Sequence, residues 1–182
     1  NDRELLIATG GRGVYRMDMD SLVPKPYITA DYASHNGMNG DNINDIYVDG
    51  GDRIWLANYP AGVTIRNNRY QSYEWFRHSP GNSRSLVNDQ VHDVIEDSEG
   101  DLWFATSNGI SLLQPAVGRW RSFLSRSDGI QDGGNHIFLT LCEVSPGVIC
   151  AGGYASGLYR IEKKTGRVEY FPPSFAAEGR PD

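Results

Sequence analysis

The chain has 182 residues, 39% hydrophobic and 11% aromatic, with 21 Gly and 9 Pro, which suits one turn-rich domain and excludes a low-complexity or disordered chain. A formal charge of −6 argues against a nucleic-acid partner, whose phosphates call for a basic face. No apolar run approaches the roughly 20 residues of a membrane span, and no signal-peptide pattern opens the sequence. Asn1 lies just before a strand pattern, so the chain reads as a piece of a longer protein.

Taken in order, the elements repeat. Residues 5–9 (LLIAT) predict a short strand, 10–13 a glycine turn, and VYRMDM a strand running back. The next unit opens with an additional first strand at 43–49, then RIWLAN, a turn, VTIRN, and an outer strand beginning Arg69-Tyr70. The third runs 91–97, DLWFAT, ISLLQ and an outer RWRSFLS; the fourth runs 137–144, VICAG, LYRIEK and an outer strand from Arg167-Val168. Short β-branched and aromatic runs separated by Gly, Asn, Asp and Ser turns predict antiparallel meanders. Ala8, Ala57, Ala105 and Ala151 align the second strands, with spacings of 49, 48 and 46. Gly13-Val14, Gly62-Val63, Gly109-Ile110 and Gly157-Leu158 align the third strands.

A four-stranded unit recurring in the forties of residues, with Trp in its second strand, predicts β-propeller blades. A blade has two faces and buries both, so its inner strands are continuously apolar, as in Ile-Trp-Leu-Ala and Leu-Trp-Phe-Ala. A β-sandwich would show no such period. The expectation is an all-β partial propeller of four consecutive blades in one domain, 1–182. The blades span about 4–29 (lacking the innermost strand), 43–77, 91–125 and 137–171. Trp55, Trp103 and Trp120 are expected in the core, and Trp75 partly exposed.

The third unit resembles a known family. The run Phe76-x-His78-x-Pro80-x-Asn82-x-x-Ser85-Leu86, then Asn88-Asp89-x-Val91, then Asp97-x-x-Gly100-x-Leu102-Trp103-x-x-Thr106-x-x-Gly109-Ile110 is similar to the two-component regulator propeller repeat. The second unit matches more loosely, and the fourth has Ile149 or Cys150 where the Trp would stand. The resemblance implies the periplasmic sensor region of a membrane-anchored hybrid histidine kinase that responds to glycans. It implies no catalysis in this chain, no cofactor and no metal. An alternative is a streptogramin-lyase-like propeller enzyme, similar in its Gly100-x-Leu102-Trp103 motif. It would need His and Glu side chains converging on a metal near the axis.

The candidate chemistry is sparse. Asp45/Asp49, Asp93/Asp97 and Glu96/Glu99 recur near turns, where acids commonly accept local backbone N–H groups. Of the four histidines, His78 is accounted for by the repeat and His92 reads as a satisfied, semi-buried imidazole. His35 and His136 lie in loops open to ligand. Gly10-Gly11-Arg12-Gly13 lacks the Lys-Ser/Thr ending and following helix of a phosphate loop. Cys142 and Cys150 fall on adjacent strands; they read as buried free thiols filling space between blades, with a cross-strand disulfide as the alternative.

In a meander, the loops between second and third strands emerge on the same face as the crossovers between blades. Loops on a rigid scaffold are where binding residues concentrate. Arg12, Tyr32, His35, Tyr59, Arg84, His136 and Tyr154 are the expected ligand-binding residues, with a chemistry of aromatic stacking and hydrogen bonding that suits an oligosaccharide. An open arc of blades leaves an apolar face at each end, so the remaining blades of a parent, or a second copy closing a homodimer, are the expected protein partners.

Overall fold

Strand-forming runs separated by tight turns fold into fifteen strands among the described residues. The computed structural model describes residues 3–31, 37–126 and 135–173. The first sheet holds β1 (Glu4–Ala8), β2 (Val14–Asp18) and β3 (Pro24–Ile28). The second holds β4 (Ile43–Val48), β5 (Arg53–Asn58), β6 (Gly62–Asn67) and β7 (Ser72–Phe76). The third holds β8 (Val91–Glu96), β9 (Leu102–Thr106), β10 (Gly109–Gln114) and β11 (Arg119–Phe123). The fourth holds β12 (Phe138–Ser145), β13 (Val148–Gly153), β14 (Gly157–Glu162) and β15 (Val168–Phe171). Each sheet is an antiparallel meander in chain order. These are successive propeller blades, the first of them three-stranded.

Strand alternation explains the continuously apolar second strands. On β5, Ile54 and Leu56 pack with Val14 and Ile28 of the first sheet, while Trp55 and Ala57 pack with Val91, Val94 and Phe104 of the third. On β9, Leu102 and Phe104 face back and Trp103 and Ala105 face forward, against Phe138, Ile149 and Tyr159. Neighbouring residues on a strand thus serve different cores. Trp55 and Trp103 are 2% and 0% exposed. Trp75 is 37% exposed. Trp120 departs from expectation: it is only half-buried, stacked on Phe104 at 5.9 Å.

The fourth repeat shows a second departure. Ala57 pairs with Val63 and Ala105 with Ile110, but Leu158 pairs with Gly152. The alanine position is therefore filled by Gly152, and the last spacing is 47 residues (105 to 152), not 46. Ala151 faces the third sheet instead, and Cys150 takes the place of Trp55 and Trp103. The two thiols do not lie between any of the four described sheets. Cys142 is exposed and Cys150 half-exposed on the outward side of the fourth sheet.

The recurrent acids have two roles. Asp49 and Asp97 close the hairpins before β5 and β9, accepting Gly51 and Arg53 N–H (2.9 and 3.0 Å) and Glu99 and Asp101 N–H (both 3.0 Å). Their second oxygens take the indole N–H of Trp55 (2.9 Å) and Trp103 (2.8 Å). Asp45 and Asp93, expected to cap local turns, reach across blades instead. Asp45 accepts Val94 N–H at 3.0 Å and Asp93 accepts Leu141 N–H at 2.6 Å. Each inner strand carries a register shift near its start, at Asn44, His92 and Leu139. A bulge there re-aims the side chains that follow.

Candidate functional site

The turn between second and third strands must bend sharply, and a glycine in the left-handed region opens each third strand. At Gly109 (φ 101°) an added Cβ would sit 2.8 Å from the Phe123 carbonyl oxygen. The same glycines bind the crossovers. Gly13 N–H donates to the Asp41 carbonyl (2.7 Å), Gly62 N–H to that of Asp89 (2.8 Å) and Gly109 N–H to that of His136 (2.7 Å). The turns and crossovers therefore share one face, as the meander requires.

The side chains of Asp41, Asp89 and His136 complete this latch. The Asp41 carboxylate accepts Ala30 N–H (2.6 Å) and the Asp89 carboxylate accepts His78 N–H (2.5 Å), both just past an outer strand. At the third junction His136 replaces the acid, and its Nδ1 lies 2.8 Å from the Leu124 carbonyl. The partner being an acceptor, Nδ1 carries the proton and donates. His136 adopts φ 58° to do so.

Between the second and third sheets, four polar side chains meet on this face. Tyr59 packs on His92 with ring centroids 5.7 Å apart. His92 Nε2 is 2.8 Å from Ser107 Oγ, and Asn44 Nδ2 is 3.4 Å from His92 Nδ1. Burial lowers the His92 pKa, favouring the neutral ring. Because the Asn44 amide donates to Nδ1, Nε2–H donates to Ser107. His92 is thus the satisfied imidazole expected, and its contact with the candidate Tyr59 is one that sequence spacing does not reveal.

On the inner strands, burial above all, and then the negative charge and hydrogen bond of Asp45, push the Asp93 carboxyl up to about 6. A carboxyl raised on folding lends stability below its ordinary value of 3.8 and loses it as pH rises through about 6. Asp93→Asn keeps an acceptor for Leu141 and adds a donor toward Asp45. The variant is expected to melt higher than the parent at pH 7.5, with the gap closing or reversing at pH 4. Thermal melts at the two pH values check this, and a gap independent of pH would contradict it.

A groove of about 570 Å³ runs along the outer edge, between the loop at 78–87 and Trp120 to Ser122 of β11. A second hollow of about 350 Å³ shares Ser83 and Trp120 with it and adds Arg84 and Arg119. Among the described residues, the guanidinium groups of Arg84 and Arg119 meet no carboxylate, and the Trp120 indole N–H has no acceptor. Among the described residues no acidic side chain lines either hollow.

Of the other candidates, Arg12 is exposed on the β1–β2 turn, its N–H on Thr9 Oγ1 at 3.1 Å. Tyr154 is 56% exposed on the β13–β14 turn, its N–H on the Ile137 carbonyl at 2.8 Å. Tyr32 and His35 lie outside the described residues. Among the described residues no three His, Cys, Asp or Glu side chains gather to hold a metal ion, and no helix is long and apolar enough to cross a membrane.

Residues 85–108, from the groove loop to the end of the β9–β10 turn, match the model of the two-component regulator propeller. That stretch of the third sheet and the loop before it is similar to the two-component regulator propeller repeat. Among solved structures, it is similar to the extracellular domain of the putative hybrid two-component system BT3049 from B. thetaiotaomicron, with 22% identity and a TM-score of 0.78. That match covers 94% of this chain and 23% of the other. It is also similar to the extracellular domain of the putative hybrid two-component system BT4673 from B. thetaiotaomicron, with 22% identity, a TM-score of 0.69, and coverage of 94% and 22%. At this identity the likeness speaks for the fold, and the chain spans less than a quarter of either relative. No curated protein matches the chain. In the propeller repeat, the matched segment supplies the groove's Ser85 and Leu86, the latch residue Asp89, His92, and the Asp97–Trp103 pair.

Proposed function

We propose that the chain is a ligand-sensing segment of an extracytoplasmic two-component sensor propeller, that its ligand is an oligosaccharide, and that it performs no catalysis. The groove at the outer edge of the propeller repeat carries this reading. With the hollow that adjoins it, the groove sets an indole edge beside the guanidinium forks of Arg84 and Arg119, unpaired among the described residues, and a rim of Ser, Asn and His donors, a combination that suits a hydroxyl-rich ligand. The repeat itself and the likeness to extracellular domains of hybrid two-component systems support the sensor role. In this reading the parent is a histidine kinase anchored in the inner membrane. Its propeller faces the periplasm, and the first and fourth sheets of this chain meet further blades or a second copy.

The test is calorimetric titration of the chain with neutral and acidic oligosaccharides, alongside Trp fluorescence. One class is expected to bind and to perturb Trp120 emission, with Arg84→Ala weakening binding at least tenfold while leaving the melting temperature unchanged. Absence of binding across the panel, or binding that Arg84→Ala leaves untouched, would overturn the groove assignment.

A further inference from the structure

We propose that Cys142 and Cys150 are a reversible redox pair, closing a cross-strand disulfide on the outward side of the fourth sheet. The two residues stand directly opposite in the β12–β13 ladder, with Leu141↔Ala151 and Glu143↔Ile149 in register on either side. Opposed residues of an antiparallel pair project to the same side of the sheet. Leu141 and Ala151 are buried against the third sheet, so the thiols between them and their neighbours point the other way. Neither sulfur packs against another of the described sheets, and in the 182-residue chain Cys142 is exposed.

The spacing follows from the ladder. In the third sheet, Asp97 N–H bonds the Asp101 carbonyl and Ser107 N–H bonds the Gln90 carbonyl. Counting inward by twos from the first of these makes Ile95↔Trp103 a hydrogen-bonded pair. Tyr154 N–H bonds the Ile137 carbonyl at 2.8 Å, the counterpart of the Ser107 bond, and the bulge that follows is common to both sheets. Cys142↔Cys150 is therefore also a hydrogen-bonded pair, with Cα atoms about 5.5 Å apart. That lies within the roughly 4.4–6.8 Å that a disulfide spans. The opposed Cβ atoms of such a pair stand about 5.5 Å apart, against the roughly 3.5–4.5 Å between the Cβ atoms of a disulfide, so closing the bond draws the two strands together locally at this one pair.

The chemistry is thiol–disulfide exchange with an external small-molecule or protein disulfide. The exposed Cys142 thiolate attacks one sulfur of that disulfide and expels the other as a thiol, leaving a mixed disulfide. Cys150, deprotonated, then attacks Cys142 Sγ and expels the second thiol. The two cysteines lose two electrons and two protons, and the external disulfide gains them. Burial first, and then the neighbouring Cys142, hold the Cys150 thiol above its ordinary value, which suits the order of attack with Cys142 leading. The product ties the innermost strand of its sheet to the next across one hairpin.

The test is equilibration of the reduced 182-residue chain with graded mixtures of reduced and oxidised glutathione, alkylation, and intact-mass analysis with peptide mapping. The expected product is a monomer lighter by two hydrogens, with residues 142 and 150 linked, that regains two alkylatable thiols on reduction. Cys142→Ser and Cys150→Ser, each checked for native circular dichroism, should instead accumulate a single glutathione adduct. Parent chain carrying glutathione on both thiols, linking between molecules, or keeping both thiols alkylatable across the series would overturn the proposal.

Discussion

Trp103→Ala is expected to lower the unfolding free energy by about 3–5 kcal/mol, in the range for truncating a large aromatic side chain in a close-packed core. Trp103 is fully buried. It stacks on Phe123 with centroids 5.3 Å apart and gives its indole N–H to Asp97. Truncation opens a cavity between the third and fourth sheets, where Phe138, Ile149 and Tyr159 are held by their own strands. It also removes a donor from a buried carboxylate. Urea melts of parent and variant measure the difference; a loss below about 1 kcal/mol would fall outside the range for core burial.

Lys163→Met is expected to cost a comparable amount, about 3–5 kcal/mol. The Lys163 side chain is 4% exposed and its ammonium lies 2.6 Å from Asp97, 2.8 Å from Glu99 and 2.7 Å from Asp101. Asp97 is itself wholly buried. Removing Lys163, the cation that meets all three carboxylates, leaves a buried carboxylate beside two others, a far worse state than losing the pair together. Burial pushes the Asp97 carboxyl up, but Lys163, the Trp103 indole and two backbone N–H groups outweigh it and hold the pKa below its ordinary 3.8. A carboxylate depressed on folding lends stability above its unfolded value, and that contribution disappears as pH falls through its folded value. The parent's acid loss from Asp97 thus lies below about pH 4. In Lys163→Met it moves to higher pH. Adding Asp97→Asn should restore part of the loss, and denaturant melts of the two single variants and the double variant at pH 3 to 7 would expose a failure of that coupling.

The architecture was legible because each unit repeats an apolar second strand followed by a glycine turn, and the second and third units also share a Trp in that strand. Where that pattern thins, the reading slips. In the fourth unit no Trp marks the register, and Ala151, the alanine nearest the expected place, belongs to the opposite side from Ala105. Hydrogen-bond pairing, not residue type, sets Gly152 there. The same one-residue slip hid the thiols' position, since a shift by one turns every side chain over.

The site was less legible. Tyr59 and Arg84 could be picked out as loop residues, but their neighbours could not. His92 reaches Tyr59 because a bulge re-aims it and the blades pack at a given angle, and neither is written in local sequence. Trp120 has the pattern of a core residue, and its Phe104 contact honours that. Its other edge borders the groove because the loop at 78–87 stands off from β11.

The three apolar clusters share no residue, and each joins only adjacent sheets. Asp45 and Asp93 pin the inner edges of the second, third and fourth sheets to one another, whereas β7 and β11 at the outer edge are largely open to solvent. The second and third sheets are nevertheless joined at the rim as well, where Phe76 of β7 meets Trp120 of β11 with ring centroids 5.2 Å apart. The groove between the loop at 78–87 and β11 shares Trp120 with that outer seam, so a ligand held in it would bear directly on the contact that closes the two sheets at their outer edge.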